Sequence, residues 1–183
     1  MKKALLLTFV LTLFILTGCG NQKEPTKTDT SNNVKTTGNV EKETKNEQYF
    51  KDNEAKLNDL KIKITETKVI QMGELGNEYG KKPILAIWYE TTNLSDKDIN
   101  PITAWSVVFK AVQDNNPNAV NKLEVGMLPD AQFRDSQLEI IKKDGTVKNA
   151  VAYELDDLVT PVTLIATQGI AGHKLGEQTY NLK

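Results

Sequence analysis

Apolar side chains recur at every second position through much of residues 58–183. Leu60, Ile62 and Ile64 begin this pattern, with lysine between them. A period of two is that of a β-strand with one buried face, whereas an amphipathic helix needs a period of about 3.6 over ten or more positions. Only residues 49–57 approach the helical period. A short helical turn is therefore predicted there, and strands are predicted in the rest of the domain.

Turn-forming residues separate the segments that fit the strand pattern. Residues 84–92 are apolar on both faces, which is typical of a central strand covered on both sides. Asp144 and Gly145 predict a tight turn, because both tolerate positive φ angles. Seven or eight short strands predict an all-β fold, a β-sandwich over residues 58–183. The predicted strands cover residues 60–65, 84–92, 105–111, 123–125, 138–140, 147–155, 162–166 and 180–182.

The N-terminus has the pattern of a secretory signal peptide. Lys2 and Lys3 precede residues 4–17, which are all apolar residues or threonine. This run is shorter than the roughly 20 residues that span a bilayer, and it fits the apolar region of a signal peptide. A retained N-terminal membrane helix is the alternative interpretation. The predicted signal peptide is residues 1–18.

The segment from Leu16 to Cys19 reads Leu-Thr-Gly-Cys and resembles a bacterial lipobox. The resemblance implies that Cys19 receives a diacylglycerol and that a lipoprotein signal peptidase cuts between Gly18 and Cys19. Two acyl chains hold a protein on a membrane stably, whereas one chain binds reversibly. A buried free thiol is the alternative for Cys19. The predicted location is the extracytoplasmic face of the cell membrane.

A polar stretch follows the cysteine. Residues 20–48 contain two aliphatic side chains, Val34 and Val40, and no aromatic one. Such a segment buries too little apolar surface to offset the entropy of ordering its backbone. Residues 19–57 are therefore predicted to form a lipidated, flexible tether, with the short helical turn at 49–57 at its end.

Charge and cysteine content bear on several classes of function. The chain has 23 basic and 24 acidic residues, and loss of Lys2 and Lys3 with the signal leaves 21 − 24 = −3 for the mature protein. A weak negative charge without a basic cluster argues against nucleic-acid binding. Because the chain has a single cysteine, it cannot form an intramolecular disulfide.

His173 is the only histidine, which limits imidazole and zinc chemistry. It follows a glycine-containing segment and is predicted to lie in an exposed loop. Ser95, Ser106 and Ser136 are candidates for a serine nucleophile, but none lies in a G-x-S-x-G elbow. The sequence therefore predicts no catalytic residue among them.

Glu154, Asp156 and Asp157 form the closest group of carboxylates near a strand end. Such a group suits a glycosidase or a calcium ion, but a polar strand end that turns into a loop has the same composition. We interpret the three residues as a strand end. The sequence predicts no catalytic residue, no cofactor and no metal site.

The two tryptophans, Trp88 and Trp105, lie among apolar neighbours in predicted strands. This favours a core position for both. The alternative is an aromatic side chain on an outer sheet face, where it can anchor a partner.

Three segments of the domain resemble the DUF5067 and DUF4352 lipoproteins. Residues 82–95 are similar to their K-P-hydrophobic and T-N-x-S signature, residues 109–115 to F-x-A-x-Q-D, and residues 145–162 to a G…a-Y-x-L-x-D…P-V stretch. The resemblance covers roughly residues 60–168. It implies an immunoglobulin-like sandwich of the telokin-like type on a Gram-positive lipoprotein, and no established activity. Where the family often has proline before Gly145, this chain has Asp144.

These observations predict a non-catalytic binding module on a lipid tether outside the cell membrane. Its predicted partner is an extracellular protein or wall ligand, and the loops Gly73–Lys81 and Asn93–Pro101 are predicted contact surfaces because connecting loops often carry function. Two alternatives stay open. One is an extracytoplasmic hydrolase of wall or peptide material, and the other is a prophage-type lipoprotein that confers immunity at the envelope.

Overall fold

The computed structural model describes residues 47–183. The predicted signal peptide, the lipidation of Cys19 and the tether up to residue 46 lie outside the described residues. In the described part of the chain, no helix is both long and apolar enough to cross a membrane. Its elements are β1 (Tyr49–Lys51), β2 (Glu54–Lys56), β3 (Leu60–Ile70), β4 (Ile84–Asn93), α1 (Pro101–Val108), β5 (Phe109–Gln113), a 3₁₀ turn (Ala131–Phe133), β6 (Thr146–Glu154), β7 (Val162–Thr167) and β8 (Lys174–Tyr180).

The strands form two antiparallel sheets, in the orders β1-β2-β3-β4-β6 and β5-β7-β8. Side chains from both sheets share one buried core, which includes Ile62, Leu85, Ala111 and Leu164. Alternation of buried and more exposed residues along β3 and β7 accounts for this arrangement, because one face of each sheet is buried against the other. The eight strands in two packed sheets confirm the predicted all-β sandwich.

The chain closes both flanks of the sandwich. On one flank, residues 121–126 join the two sheets: the Leu123 amide donates to the Ala111 carbonyl of β5, and the Gly126 amide donates to the Ala152 carbonyl of β6. On the other flank, Asn53 in the β1–β2 turn is hydrogen-bonded to β8. These contacts cover sheet edges that would otherwise expose backbone groups.

The helical turn predicted at 49–57 is wrong, because these residues form the β1–β2 hairpin. Asp52 and Asn53 have φ angles of 50° and 63°, which give the two-residue turn that fits the twist of paired strands. Phe50 and Ala55 pair across the hairpin and are both buried. The sheet therefore starts at residue 49, ahead of the predicted domain boundary at 58.

The strand predicted at 105–111 is wrong in its first half. Residues 101–108 form α1, with Pro101 in the first turn and the Asn100 side chain accepting from the Thr103 amide at 3.0 Å. Both features are typical of a helix N-terminus. Alternate residues from Trp105 onward are apolar, but Trp105 is buried through a helical face shared with Ala104. The strand itself begins at Phe109.

Three other predicted strands differ from the structure. Leu138 and Ile140 lie in an exposed turn region, and the strand predicted at 123–125 is replaced by single bridges at Lys122 and Val125. The last strand spans Lys174–Tyr180, where the sequence predicted 180–182. The turn predicted at Asp144 is confirmed, with φ of 62° and a hydrogen bond from the Gly145 amide to the Lys142 carbonyl at 2.8 Å.

A bulge in β3 reverses which side chains face the core. Pairing with β4 shifts between Ile64 and Glu66, so that one extra residue of β3 is inserted there. Before the bulge Ile64 faces the core, and after it Val69 does. Glu66 and Ile70 consequently lie on the outer face of the sheet, on the same side as Trp88 of β4.

Candidate binding site

The outer face of the five-stranded sheet carries a second, smaller apolar cluster. Ile70, Ile84, Ala86 and Ala152 are buried there, and Trp88 packs against them while remaining partly exposed. Around this cluster, the five-stranded sheet therefore has apolar side chains on both its inner and its outer face. This is the arrangement predicted for residues 84–92, and it requires loops to cover the outer side.

Two loops rise over this cluster and enclose a cleft of about 490 Å³. One is the β3–β4 loop, residues 71–83, and the other is residues 126–134. We call this space the Trp88 cleft, because the indole of Trp88 lies between the two loops. Several of the large apolar side chains on these loops are well exposed: Met72, Leu75, Tyr79 and Met127.

Hydrogen bonds fix the orientation of the indole. The Trp88 Nε1–H donates to Asp130 Oδ2 at 3.0 Å, and Gln132 Nε2 donates to the same oxygen at 2.6 Å. Burial alone would raise the pKa of the Asp130 carboxyl, but these hydrogen bonds outweigh it and hold the pKa below its ordinary value. Asp130 is therefore ionised at neutral pH, and the indole donor is already used. What the tryptophan offers to a ligand is its apolar ring surface.

The β3–β4 loop is held by a buried amide. Asn77 Nδ2 donates to the carbonyls of Ile70 at 3.3 Å and Lys82 at 2.9 Å, so it joins the two ends of the loop. Gly80 packs against the Asn77 side chain so closely that a Cβ at Gly80 would collide with it. The loop is thus preorganised, which lowers the entropy that a ligand must offset on binding.

The two loops also touch each other. Gly76 has φ of +89°, and a Cβ at this position would come within 2.3 Å of the Pro129 carbonyl oxygen. Only glycine allows both the backbone conformation and the close approach. Gly76 and Pro129 therefore set the relative position of the two walls of the Trp88 cleft.

The structure separates the two tryptophans. Trp105 is in the core, with its ring 4.4 Å from that of Tyr89 and 4.5 Å from that of Phe109. Its Nε1–H donates to the Tyr153 hydroxyl at 2.8 Å. Burial raises the pKa of Tyr153 to about 12, although the Trp105 hydrogen bond opposes this. The core prediction is confirmed for Trp105, whereas Trp88 occupies the outer-face position.

The predicted carboxylate group is part of a loop. Asp157 Oδ1 accepts from the amides of Val159 and Thr160, and Asp156 accepts from Lys82 Nζ at 2.6 Å. The Thr160 amide, the Asn115 side chain and the Val159 amide hold the pKa of Asp157 well below its ordinary value. These bonds shape the turn after β6. Within residues 47–183, no group of three or more histidines, cysteines or acidic residues could hold a metal ion.

His173 is exposed in the β7–β8 loop, as predicted. The three candidate serines lie on other elements and bond locally. Ser95 Oγ donates to Asn93 Oδ1, Ser106 Oγ to the Ile102 carbonyl, and Ser136 Oγ to the Phe133 carbonyl. Each hydroxyl thus has a partner close to it in the chain.

Two residues of the family-like segments are buried amides with structural bonds. Asn93 Nδ2 donates to the carbonyls of Lys97 and Ile141, both at 2.8 Å. Gln113 Nε2 donates to the carbonyls of Asp157 and Thr160, and its Oε1 accepts from the Asp156 amide. These two side chains hold loops in place and lie outside the Trp88 cleft, whereas Trp88 itself belongs to the first family-like segment, residues 82–95.

The fold defines the chain as a β-sandwich domain, and comparison with known proteins agrees. The chain belongs to the DUF5067 family, a domain of unknown function, whose sequence profile matches residues 22–168. The chain is similar to a solved structure of a candidate lipoprotein from Staphylococcus aureus, with a TM-score of 0.62 and 22% identity over 72% of this chain and 90% of that one.

A second solved structure, an uncharacterised β-sandwich protein from Clostridium difficile, matches with a TM-score of 0.45 and 13% identity over 76% of this chain and 95% of that one. No curated protein gave a significant match. The resemblance to DUF4352 and the lipidation of Cys19 stay predictions.

Sequence reasoning found one wall of the cleft and missed the other. The predicted contact loop Gly73–Lys81 lies in the first wall, whereas the loop Asn93–Pro101 is held at another site by Asn93 and by a 2.6 Å ion pair between Lys97 and Asp59. Residues 126–134 were not singled out. The available signal was the Pro129-Asp130 pair, which is typical of a turn that starts a helix.

Proposed function

We propose that this protein is a lipoprotein on the extracytoplasmic face of the cell membrane, and that its sandwich is a non-catalytic binding module. The lipid on Cys19 provides the anchor, and the polar segment after it gives the domain reach. The Trp88 cleft is the proposed binding site. The proposed partner is an extracellular protein that places an apolar side chain against Trp88.

One observation carries this proposal: four large, exposed apolar side chains lie on the two loops that enclose a preorganised aromatic floor, namely Met72, Leu75, Tyr79 and Met127. Leu75 and Tyr79 are 88% and 84% exposed, although each is large enough to stabilise the fold if it were buried. A cluster of such residues beside a cleft is typical of an interaction site, whereas single exposed apolar residues are ordinary. Aromatic side chains in a desolvated centre commonly supply much of the affinity of protein interfaces.

The Asp130 carboxylate supports a binding role for the cleft in preference to that of a general acid. Asp130, which lines the cleft, accepts hydrogen bonds from Trp88 and Gln132 and remains ionised. A general acid at neutral pH would need a raised pKa. The hydrolase and immunity alternatives have no comparable supporting observation within residues 47–183.

The proposal is tested by photo-crosslinking on intact cells. A photoreactive amino acid replaces Tyr79 in the full lipoprotein. In the control, the same photoreactive amino acid replaces Ile170. Ile170 is 88% exposed and lies in the β7–β8 loop, so it matches the exposure of the cleft residues without belonging to the cleft. We expect a discrete protein adduct from position 79 only. Equal adduct patterns from both positions would contradict the proposal.

The anchor is tested separately with Cys19→Ala. This variant should remain uncleaved or be shed into the medium, because it cannot receive the diacylglycerol. Fractionation of membranes and medium, with detection of the mature N-terminus, gives the readout. Processing and retention like those of the parent protein would show that the lipid assignment is wrong.

A further inference from the structure

A second cavity lies on the flank of the sandwich that residues 121–126 close. It occupies about 290 Å³ between α1, residues 122–128 and the edge of β6. The cavity shares Leu128 with the lining of the Trp88 cleft, but its other lining residues differ from those of the cleft. We call it the flank pocket.

The floor of the flank pocket is apolar and has its polar atoms satisfied. Trp105, Phe109, Leu123 and Tyr153 line it, and all four are buried. The indole N–H of Trp105 and the hydroxyl of Tyr153 are paired with each other at 2.8 Å. A polar group placed against this floor would lose its hydration without finding a free partner, which is unfavourable. The part of a ligand that enters the pocket must therefore be apolar.

The mouth of the flank pocket has the opposite character. Lys110 of β5 and Lys122 of the crossing segment both line it and are exposed. Neither lysine forms an ion pair within residues 47–183. Glu124 also lies at the mouth, so the rim has a net charge of one positive unit. Free ammonium groups beside an apolar cavity favour an anionic group at the surface.

Because the pocket has an apolar floor and a positively charged mouth, we propose that it binds a single-chain amphiphile. The apolar tail would lie against Trp105, and the carboxylate would lie at Lys110 and Lys122. The cavity of about 290 Å³ has room for a short alkyl tail. Decanoate is the simplest probe of this chemistry.

Tryptophan fluorescence gives a site-specific readout. The chain has two tryptophans, so Trp88→Phe leaves Trp105 as the sole emitter and also tests independence from the Trp88 cleft. Titration of this variant of the mature domain with decanoate, below its micelle concentration, should change Trp105 emission saturably. Isothermal titration calorimetry on the unmodified domain should give the same dissociation constant. The proposal would be overturned if neither measurement showed a saturable change.

Two kinds of variant test the two halves of the ligand. Ser106→Phe places an aromatic ring from an exposed helix position at the pocket, and it should abolish binding. Lys110→Gln with Lys122→Gln should weaken decanoate binding about tenfold or more while leaving decanol binding unchanged. Lys68→Gln, in the Trp88 cleft, is the matched control and should bind as the parent does.

The opposite results would overturn the assignment. If Ser106→Phe retained full affinity while its thermal unfolding matched that of the parent, the tail would not lie in the flank pocket. If decanol bound as tightly as decanoate and the lysine variants had no effect, the anionic half of the proposal would be wrong. If Lys68→Gln weakened binding as much as the double variant, the ligand would lie elsewhere.

Discussion

At the scale of single residues, two members of the sequence signature, Asn93 and Gln113, are buried amides. Asn93 is 1% exposed, and its side chain joins the end of β4 to the residues that follow it and to Ile141. Buried amide groups must be hydrogen-bonded, so a side chain with the right donors and acceptors is required at such a position. These two amides of the resemblance therefore report on folding and not on the ligand.

Replacement of Asn93 by alanine should destabilise the domain by about 2–4 kcal/mol, because the buried Ile141 carbonyl and the part-buried Lys97 carbonyl lose their donor and Ser95 loses its acceptor. Urea unfolding followed by circular dichroism measures this change. Asn118→Ala is the control, since Asn118 is exposed and its side chain has no hydrogen bond within residues 47–183. If Asn93→Ala lost as little stability as the control, the Asn93 hydrogen bonds would contribute little to the stability of the domain.

Thr91 provides the opposite case. Its hydroxyl is buried without a hydrogen-bond partner in the described part of the chain, whereas the hydroxyl of the adjacent Thr92 bonds Thr146 Oγ1 at 2.8 Å. Thr91→Val removes an unsatisfied polar group at nearly constant shape and should stabilise the domain by about 1 kcal/mol. Thr92→Val should be neutral or slightly destabilising. Thermal unfolding of both variants measures these changes in stability. If Thr91→Val were destabilised, the Thr91 hydroxyl would have a hydrogen-bond partner.

At the scale of elements, the strands with strict alternation were predictable and the irregular elements were not. The period of two located β3, β6 and β7, because half-buried strands impose it, and a run that is apolar on both faces located β4. It misplaced α1, since Trp105 is buried by a helical face while its alternate neighbours are apolar as well. It also missed the β1–β2 hairpin, whose strands of three residues are too short to show a period.

The hairpin turn permits a test that separates strain from hydrogen bonding. Asn53 Oδ1 accepts from Gln178 Nε2 and from the Tyr180 hydroxyl, and the Asn53 φ angle is 63°. Asn53→Gly and Asn53→Ala both lose these bonds, but only alanine has a Cβ that opposes the positive φ. Alanine should be less stable than glycine by about 1 kcal/mol in urea unfolding. Equal stabilities would show that the turn relaxes to another conformation.

The contact between the two walls of the Trp88 cleft also has a matched pair. Gly76 and Gly73 both have positive φ, but a Cβ at Gly73 has nothing within 4 Å, whereas one at Gly76 meets Pro129. Gly73→Ala should lower the free energy of unfolding by about 1 kcal/mol through backbone strain alone. Gly76→Ala should lower it measurably more.

Hydrogen exchange should locate the additional effect of Gly76→Ala. We expect faster exchange in residues 71–83 and 126–134, because the alanine separates the two loops. Gly73→Ala should leave residues 126–134 protected. Unchanged exchange of residues 126–134 in both variants would mean that the loops are positioned independently.

At the scale of the whole molecule, the sequence predicts the class of fold but not how its surface is assembled. The sandwich follows from local periodicity, which each strand carries by itself. The Trp88 cleft depends on contacts between residues far apart in the chain, such as Trp88 with Asp130 and Gly76 with Pro129. The bulge in β3 that brings Ile70 to the outer face has no recognisable pattern of its own. The binding surface therefore became visible only in three dimensions.

The most direct test of the central claim is whether Trp88 becomes covered on the cell. Oxidative labelling followed by mass spectrometry can be applied to the purified domain and to the lipoprotein on intact cells. Trp105 is 2% exposed and serves as the internal reference for an intact fold, since it should stay unlabelled in both samples. We predict that Trp88 is labelled in the purified domain and protected on cells. Equal labelling of Trp88 in the two samples would contradict the claim that the cleft binds a partner.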